Sequence, residues 1–94
     1  MACRLIWVTP ELCARWLDRQ ASAVAAGQIT DVNPVCRDKL AALVHSMNTG
    51  IFAATEPLRF TDGILADGQH RCHAVIETQQ PRWFWTNWRS FDDD

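Results

Sequence analysis

The sequence predicts an α+β fold in which four short strands and about three helices follow the order β-α-α-β-β-α-β. Apolar residues recur with helical spacing in separate segments, and short runs of strand-forming residues bounded by turn residues lie between them. The composition agrees, since 94 residues with 48% hydrophobic and 21% charged side chains are typical of one globular domain. We assign the whole range 1–94 to that domain and interpret residues 90–94 as an acidic tail.

The first strand and first helix are predicted from residues 4 to 27. The stretch RLIWVT, residues 4–9, is rich in strand formers. Thr9 is suited to cap a helix that has Pro10 at its first position and continues toward Gly27. The apolar face of this helix consists of Leu12, Trp16 and Leu17.

The middle of the chain predicts a loop, a second helix and a hairpin. Residues 28–34 contain turn formers and indicate the loop. The second helix is indicated by the i, i+3, i+4, i+7 spacing of Leu40, Leu43, Val44 and Met47. A strand near 57–60, a turn at Asp62–Gly63 and a short strand at 64–66 form the predicted hairpin.

The segment LADGQHRCHA, residues 65–74, lies where a strand is expected to end and a third helix to begin. That helix is predicted to end near Gln79, and RWFWTNW, residues 82–88, has the composition of a last strand.

Charge and cysteine usage narrow the function classes. The net charge is −2 and Lys39 is the chain's one lysine, which disfavours extensive nonspecific binding of duplex DNA. Cysteines at 3, 13, 36 and 72 form no CxxC pair, and the N-terminus does not have the pattern of a signal peptide. We therefore expect reduced, packed cysteines and a cytoplasmic protein, with no membrane span because no apolar run approaches about 18 residues.

The motif at the third helix has the chemistry of a phosphate site. The first amides of a helix lack internal partners and carry the positive end of its dipole, so they attract anions. Gly68 lets the backbone approach a ligand, while His70 and Arg71 add donors. Asp67 could orient Arg71, hold a divalent metal or accept a proton. The alternative is a capping or surface salt-bridge role for these side chains.

Four segments in order, NPVCRDKL, LVHSMNTG, EPLRF and ILADGQHRCHAV, resemble the core of the ParB/sulfiredoxin superfamily. The Asp-Gly-Gln-His-Arg form is similar to the ParB-like "DGQHR" subgroup, many members of which are borne by phages or plasmids. The resemblance covers roughly residues 5–80 and implies a small core with a mixed sheet.

The resemblance also implies a set of site residues. The implied phosphate- or nucleotide-binding residues are Arg37, Gly68, Gln69, His70 and Arg71. Asp67 matches an acid of the related free-serine kinases, which implies Mg²⁺ and a nucleotide such as ATP or CTP, with Asp67 and His70 as catalytic candidates. Gln69 stands where sulfiredoxin has its cysteine, so we do not expect sulfinic-acid reduction. The chain has no room for the DNA-reading and dimerisation segments of ParB clamps.

The C-terminal segment carries a dense group of aromatic residues, namely Trp83, Phe84, Trp85, Trp88 and Phe91, flanked by Arg82 and Arg89. Single-stranded nucleic acid binders use such platforms, although packing into a small core is the commoner explanation. Because successive residues of a strand point to opposite faces, at least one aromatic side chain should lie off the core. Trp83, Trp85 and Trp88 are therefore candidates for a partner interface.

Two functions remain open from the sequence. The first is a phage- or plasmid-type ParB-like domain, in the host-cell cytoplasm if phage-encoded, that binds a nucleotide or nucleic-acid phosphate. It would carry out, if catalytic, Mg-dependent phosphoryl transfer or phosphodiester hydrolysis. The alternative is a non-enzymatic protein that binds a host protein, or itself as a homodimer, through the Trp-rich segment.

Overall fold

A computed structural model describes residues 3–28, 34–53 and 56–87. Its elements are β1 (Arg4–Val8), α1 (Pro10–Ala25), α2 (Arg37–Asn48), β2 (Arg59–Thr61), β3 (Ile64–Asp67), α3 (Gln69–Thr78) and β4 (Arg82–Thr86). The α+β class and the predicted element order are confirmed. The interior of the predicted loop at 28–34 and the acidic tail at 90–94 lie outside the described residues. None of the described helices combines the length and apolar character that a membrane span needs.

The first helix begins as its sequence predicts. Thr9 Oγ1 accepts a hydrogen bond of 3.1 Å from the backbone N–H of Leu12, and Pro10 is the first helical residue. The helix ends at Ala25, and Gly27 then adopts a φ of 74° that turns the chain away. Trp16 is buried on the inner face, where its ring meets Phe60 edge-on with 4.9 Å between centroids.

The second and third helices pack against each other. In α2, Met47 is buried, while Leu40, Leu43 and Val44 are partly buried against the core. The third helix follows β3 after Gly68 alone and ends at Thr78, and its C-cap residue Gln79 takes a left-handed conformation with a φ of 54°. Both helices therefore turn their apolar stripes inward, as their spacing predicts.

The sheet differs from the predicted mixed sheet. Among the described residues the strands form two antiparallel pairs, β1–β4 and β2–β3, which an isolated parallel bridge connects at Leu58 and Thr86. Leu58 N–H donates to the Trp85 carbonyl at 2.8 Å, and Asn87 N–H donates to the Leu58 carbonyl at 3.3 Å. The parallel contact is an isolated bridge, and the register of the β2–β3 pair shifts between Arg59 and Phe60.

The hairpin turn is confirmed, and its strands lie close to their predicted places. Asp62 and Gly63 both have positive φ angles, 52° and 78°, as a two-residue hairpin turn with the native twist requires. The last strand ends at Thr86 rather than 88, because Asn87 then turns its side chain to the backbone of Phe60. Its Oδ1 accepts from the Phe60 N–H at 2.7 Å, and its Nδ2 donates to the Phe60 carbonyl at 3.2 Å.

The core lies between the helices and the two strand pairs. Its largest fully buried members include Phe84, Leu58, Leu65, Val8 and Val75. Gln20 is also buried, and its Nε2 donates to the Leu65 carbonyl at 2.8 Å, so its polar group is satisfied.

The four cysteines are free, but only two are packed. Cys13 and Cys72 are buried, whereas Cys3 and Cys36 are exposed, so the expectation of packed thiols is wrong for the latter two. A hydrogen bond between the Cys13 and Cys72 thiols, together with burial, raises the pKa of Cys72. These two groups therefore behave as small apolar core residues.

Candidate functional site

A cavity of about 460 Å³ opens at the start of α3. Four predicted site residues line it, Asp67, Gly68, His70 and Arg71. Further lining comes from α2 and the segment after it, with Lys39, Leu43, Phe52 and Glu56. We name this the α3 cavity; its size lies within the range of small-molecule sites.

Gly68 occupies the turn between β3 and α3, and no other residue fits there. Its φ of 119° is a conformation that side chains disfavour. A Cβ at this position would overlap the Leu58 Cδ2 methyl and lie 3.2 Å from Arg71 Nη2. The glycine therefore permits a close approach of the chain to itself as well as forming part of the cavity wall.

His70 connects the start of α3 to the start of α2. Its Nε2 accepts a 2.8 Å hydrogen bond from the backbone N–H of Cys36, the residue that precedes α2. An imidazole that accepts through Nε2 is neutral and carries its proton on Nδ1. In this arrangement Nδ1 is the ring nitrogen of His70 that can donate a hydrogen bond to a ligand.

Arg71 holds one wall of the cavity in place. Its Nη1 donates to the Glu56 carbonyl, and its Nη2 donates to the Pro57 carbonyl at 3.2 Å. Asp67 is exposed at the end of β3, and no ion pair joins it to His70 or Arg71 in the described part of the chain. Arg71 thus brings its positive charge to the cavity while part of its guanidinium fork binds backbone carbonyls.

Lys39 adds a cation that the sequence motif does not contain. It lies in the first turn of α2, is exposed, and makes no hydrogen bond or ion pair with any described residue. The carboxylates of Glu56 and Asp67 line the same cavity. Sequence reasoning did not find Lys39, Phe52 and Glu56 because they precede the DGQHR motif by 11 to 28 positions, and only the fold brings them to it.

Two predicted binding residues do not line the α3 cavity. Gln69 is buried as the first residue of α3. Arg37 is exposed and instead lines a separate cavity of about 640 Å³ with His73 and Glu77. Burial, followed by the charge of His70, lowers the pKa of His73, and Glu77 partly offsets this.

The residues of the α3 cavity suit Mg²⁺ only if substrate phosphates and water supply part of its coordination shell. The described residues contain no group of three or more His, Cys, Asp and Glu side chains that could hold a metal. Asp67 and Glu56 nevertheless bring carboxylate oxygens to one cavity. Mg²⁺ commonly takes one or two carboxylates and completes its shell with water and substrate phosphates.

Apolar side chains are exposed on the outer face of the β1–β4 pair. We name this the tryptophan face. It consists of four side chains with the following exposed fractions: Leu5 47%, Trp7 49%, Trp83 54% and Trp85 42%. Leu5 lies opposite Trp85 and Trp7 opposite Trp83, while Phe84 points into the core. Core packing is therefore the wrong explanation for Trp83 and Trp85, and Trp88 lies outside the described residues.

Comparison of the chain with models of protein families, with curated proteins and with solved structures gives no significant match. The residues and geometry of the α3 cavity and the tryptophan face are therefore the basis for proposing a function.

Proposed function

We propose that the chain is a ParB/sulfiredoxin-like domain of the phage or plasmid type that binds a nucleotide or nucleic-acid phosphate in the α3 cavity. The observation that carries the proposal is that Lys39, His70 and Arg71 line one cavity at the N-terminus of a helix. Cationic and N–H donors beside the positive end of a helix dipole form a favourable environment for phosphate oxygens.

Each lining residue has a distinct part in this proposal. Lys39 supplies a mobile positive charge, and His70 supplies the Nδ1–H donor that follows from its bond to Cys36. Arg71 contributes charge from a fixed position. Leu43 and Phe52 form an apolar wall against which a base or sugar can pack.

The carboxylates suit the metal that accompanies nucleotides such as ATP or CTP. Asp67 and Glu56 would hold Mg²⁺ together with phosphate oxygens and water. The bound Mg²⁺ would neutralise part of the negative charge of the phosphates. The reaction such a site would support is phosphoryl transfer or phosphodiester hydrolysis. Asp67 would then serve either the metal or the proton, and His70 and Arg71 would stabilise negative charge on the phosphate.

Calorimetric titration with ATP, CTP and GTP in the presence of Mg²⁺ tests the proposal on wild type, Lys39→Gln and Arg15→Gln. Arg15 is an exposed residue of α1, so its substitution removes the same charge away from the cavity. We expect Lys39→Gln to weaken binding roughly tenfold or more, since a charged hydrogen bond contributes about 1.5–3 kcal/mol, and Arg15→Gln to bind as wild type. Phosphate release in the same samples tests turnover.

Lys39 is a better test position than Arg71, because Lys39 makes no hydrogen bond or ion pair with a described residue, whereas Arg71 holds the Glu56–Pro57 segment. The proposal fails if wild type binds none of these nucleotides and no oligonucleotide. It also fails if Lys39→Gln binds them as tightly as Arg15→Gln does.

A second candidate function is favoured by the tryptophan face. Three half-exposed tryptophans and a leucine on one small surface are unusual for a chain without a partner there. Tryptophans at the centre of interfaces often dominate binding energy. On this alternative the protein is a non-enzymatic interaction module that binds a host protein or a second copy of itself.

A further inference from the structure

A second cavity, of about 320 Å³, shares Phe52 with the α3 cavity. Its other lining residues are Trp7, Pro81, Arg82 and Trp83, and we name it the aromatic cavity. The Trp7 and Trp83 rings lie 5.2 Å apart between centroids and are tilted by 59°, and about half of each side chain is exposed. Two half-exposed indoles beside a cavity provide a surface on which a flat group can stack.

Arg82 fixes a positive charge at this cavity. Its Nη2 donates to the Met47 carbonyl at 2.8 Å and to Gln80 Oε1 at 3.1 Å. Its guanidinium carbon lies 5.4 Å from the centre of the Phe52 ring. The Nε–H is buried and has no acceptor among the described residues. The guanidinium is therefore held in place and retains an unsatisfied donor, which costs free energy unless an acceptor approaches.

The charge of Arg82 decides which class of ligand suits the aromatic cavity. Aromatic cages that bind ammonium groups attract cations to their ring faces. A cation fixed in the lining repels such a ligand and attracts an anionic one. A flat aromatic group attached to a phosphate matches both the indole faces and the guanidinium.

We propose that the two cavities are successive subsites for a single strand of nucleic acid. One phosphate lies in the α3 cavity beside Lys39, and a neighbouring base stacks on Trp7 and Trp83 in the aromatic cavity. The strand passes Phe52, which lines both sites. This inference deepens the proposed function and rests on it, because it names an oligonucleotide as the ligand of the α3 cavity.

A single strand fits better than a duplex for two reasons. In a duplex the bases are stacked on one another and cannot present a face to Trp7 or Trp83, whereas in a single strand every base can. The net charge of −2 also gives little long-range attraction to a duplex, so affinity must come from local contacts.

The test compares thymidine monophosphate with a series of short single-stranded dT oligonucleotides, by calorimetry or tryptophan fluorescence. Trp83→Ala removes a wall of the aromatic cavity. Trp85→Ala is the matched control, because Trp85 is exposed on the same strand and the same face but does not line that cavity. Thermal melting of both variants confirms that they fold, as expected for exposed side chains.

We expect wild type to bind oligonucleotides more tightly than the mononucleotide, and Trp83→Ala to lose about 5- to 150-fold in oligonucleotide affinity. That range corresponds to about 1–3 kcal/mol for one stacked base. Mononucleotide affinity should fall by a smaller factor in Trp83→Ala, because the phosphate of the mononucleotide can still bind beside Lys39, and Trp85→Ala should bind both ligands as wild type does. Lys39→Gln should weaken both ligands.

The inference is wrong if the mononucleotide binds through Lys39 but oligonucleotides gain nothing from Trp83; the proposed function then stands. If neither the mononucleotide nor the oligonucleotides bind, both the inference and the proposed function are wrong. Equal losses in Trp83→Ala and Trp85→Ala, accompanied by a change in self-association during sedimentation, would instead assign the whole tryptophan face to a protein contact and overturn the stacking site.

Discussion

Gly68 is the residue whose identity the fold constrains most tightly. Its backbone has a φ of 119°, and the side chains of Leu58 and Arg71 occupy the space that a Cβ would need. We expect Gly68→Ala to lower the free energy of unfolding by about 2–4 kcal/mol, because backbone strain and overpacking add. Urea denaturation measures this loss.

Gly27→Ala is the matched control for that substitution. Gly27 also has a positive φ, 74°, but an added Cβ there would meet open space. Gly27→Ala should therefore lower the free energy of unfolding only by the cost of backbone strain, about 1 kcal/mol. Equal losses in the two variants would show that the packing around Gly68 does not matter.

The DGQHR motif shows how far residue chemistry can be predicted from sequence. The strand-to-helix junction and the grouping of Asp67, His70 and Arg71 were predictable from local signals. What could not be predicted is that His70 and Arg71 also hydrogen-bond the backbone of other segments, at Cys36 and at Glu56–Pro57. These partners lie 14 to 34 positions away, and no local pattern announces such contacts.

At the level of elements, Arg71 attaches the segment before β2 to α3. Its two terminal nitrogens reach two successive carbonyls, which a single ammonium group cannot match. We expect Arg71→Lys to lower the free energy of unfolding by about 1–2 kcal/mol and to speed amide hydrogen exchange in residues 56–58. Urea denaturation and hydrogen exchange measure the two effects.

Arg15→Lys supplies the comparison, because it makes the same exchange at an exposed position of α1. It should leave both measurements at the wild-type value. If Arg71→Lys behaves in the same way, the two carbonyl contacts do not stabilise the segment.

The elements themselves were predicted more accurately than their arrangement. Helix α1 and the hairpin turn depend on neighbours in sequence, such as Thr9 with Leu12 and Asp62 with Gly63. The division of the sheet into two pairs, and the register shift beside Arg59 within the β2–β3 pair, depend instead on pairing that no periodic pattern in the sequence reveals.

At the scale of the whole molecule, the distribution of aromatic residues separates core from surface. Alternation along residues 82–86 predicted that some aromatic side chains would leave the core. It could not say which face would be covered, because that depends on where the helices pack. Phe84 is buried with the Phe52 ring packed edge-on against it, whereas Trp83 and Trp85 remain exposed. The aromatic cavity forms where the exposed Trp83 meets Phe52, which comes from another part of the chain. The sequence alone therefore does not predict this cavity.

The stability of the whole molecule should fall as the solution is acidified below neutral pH. Burial and the neighbouring charge of His70 lower the pKa of His73 in the folded state. The unfolded chain, with a histidine pKa of about 6.5, therefore binds more protons as the pH falls, and stability decreases in that direction.

Urea denaturation between pH 7.5 and pH 5.5 measures this dependence in wild type, His73→Gln and His45→Gln. The contribution of His73 is fully present above its unfolded pKa and is lost as the pH falls toward its folded value. His73→Gln should therefore show a smaller loss on acidification than wild type. His45→Gln, which replaces an exposed histidine of α2, should follow wild type. A wild-type protein that keeps or gains stability at pH 5.5 would contradict the half-buried environment that lowers the pKa of His73.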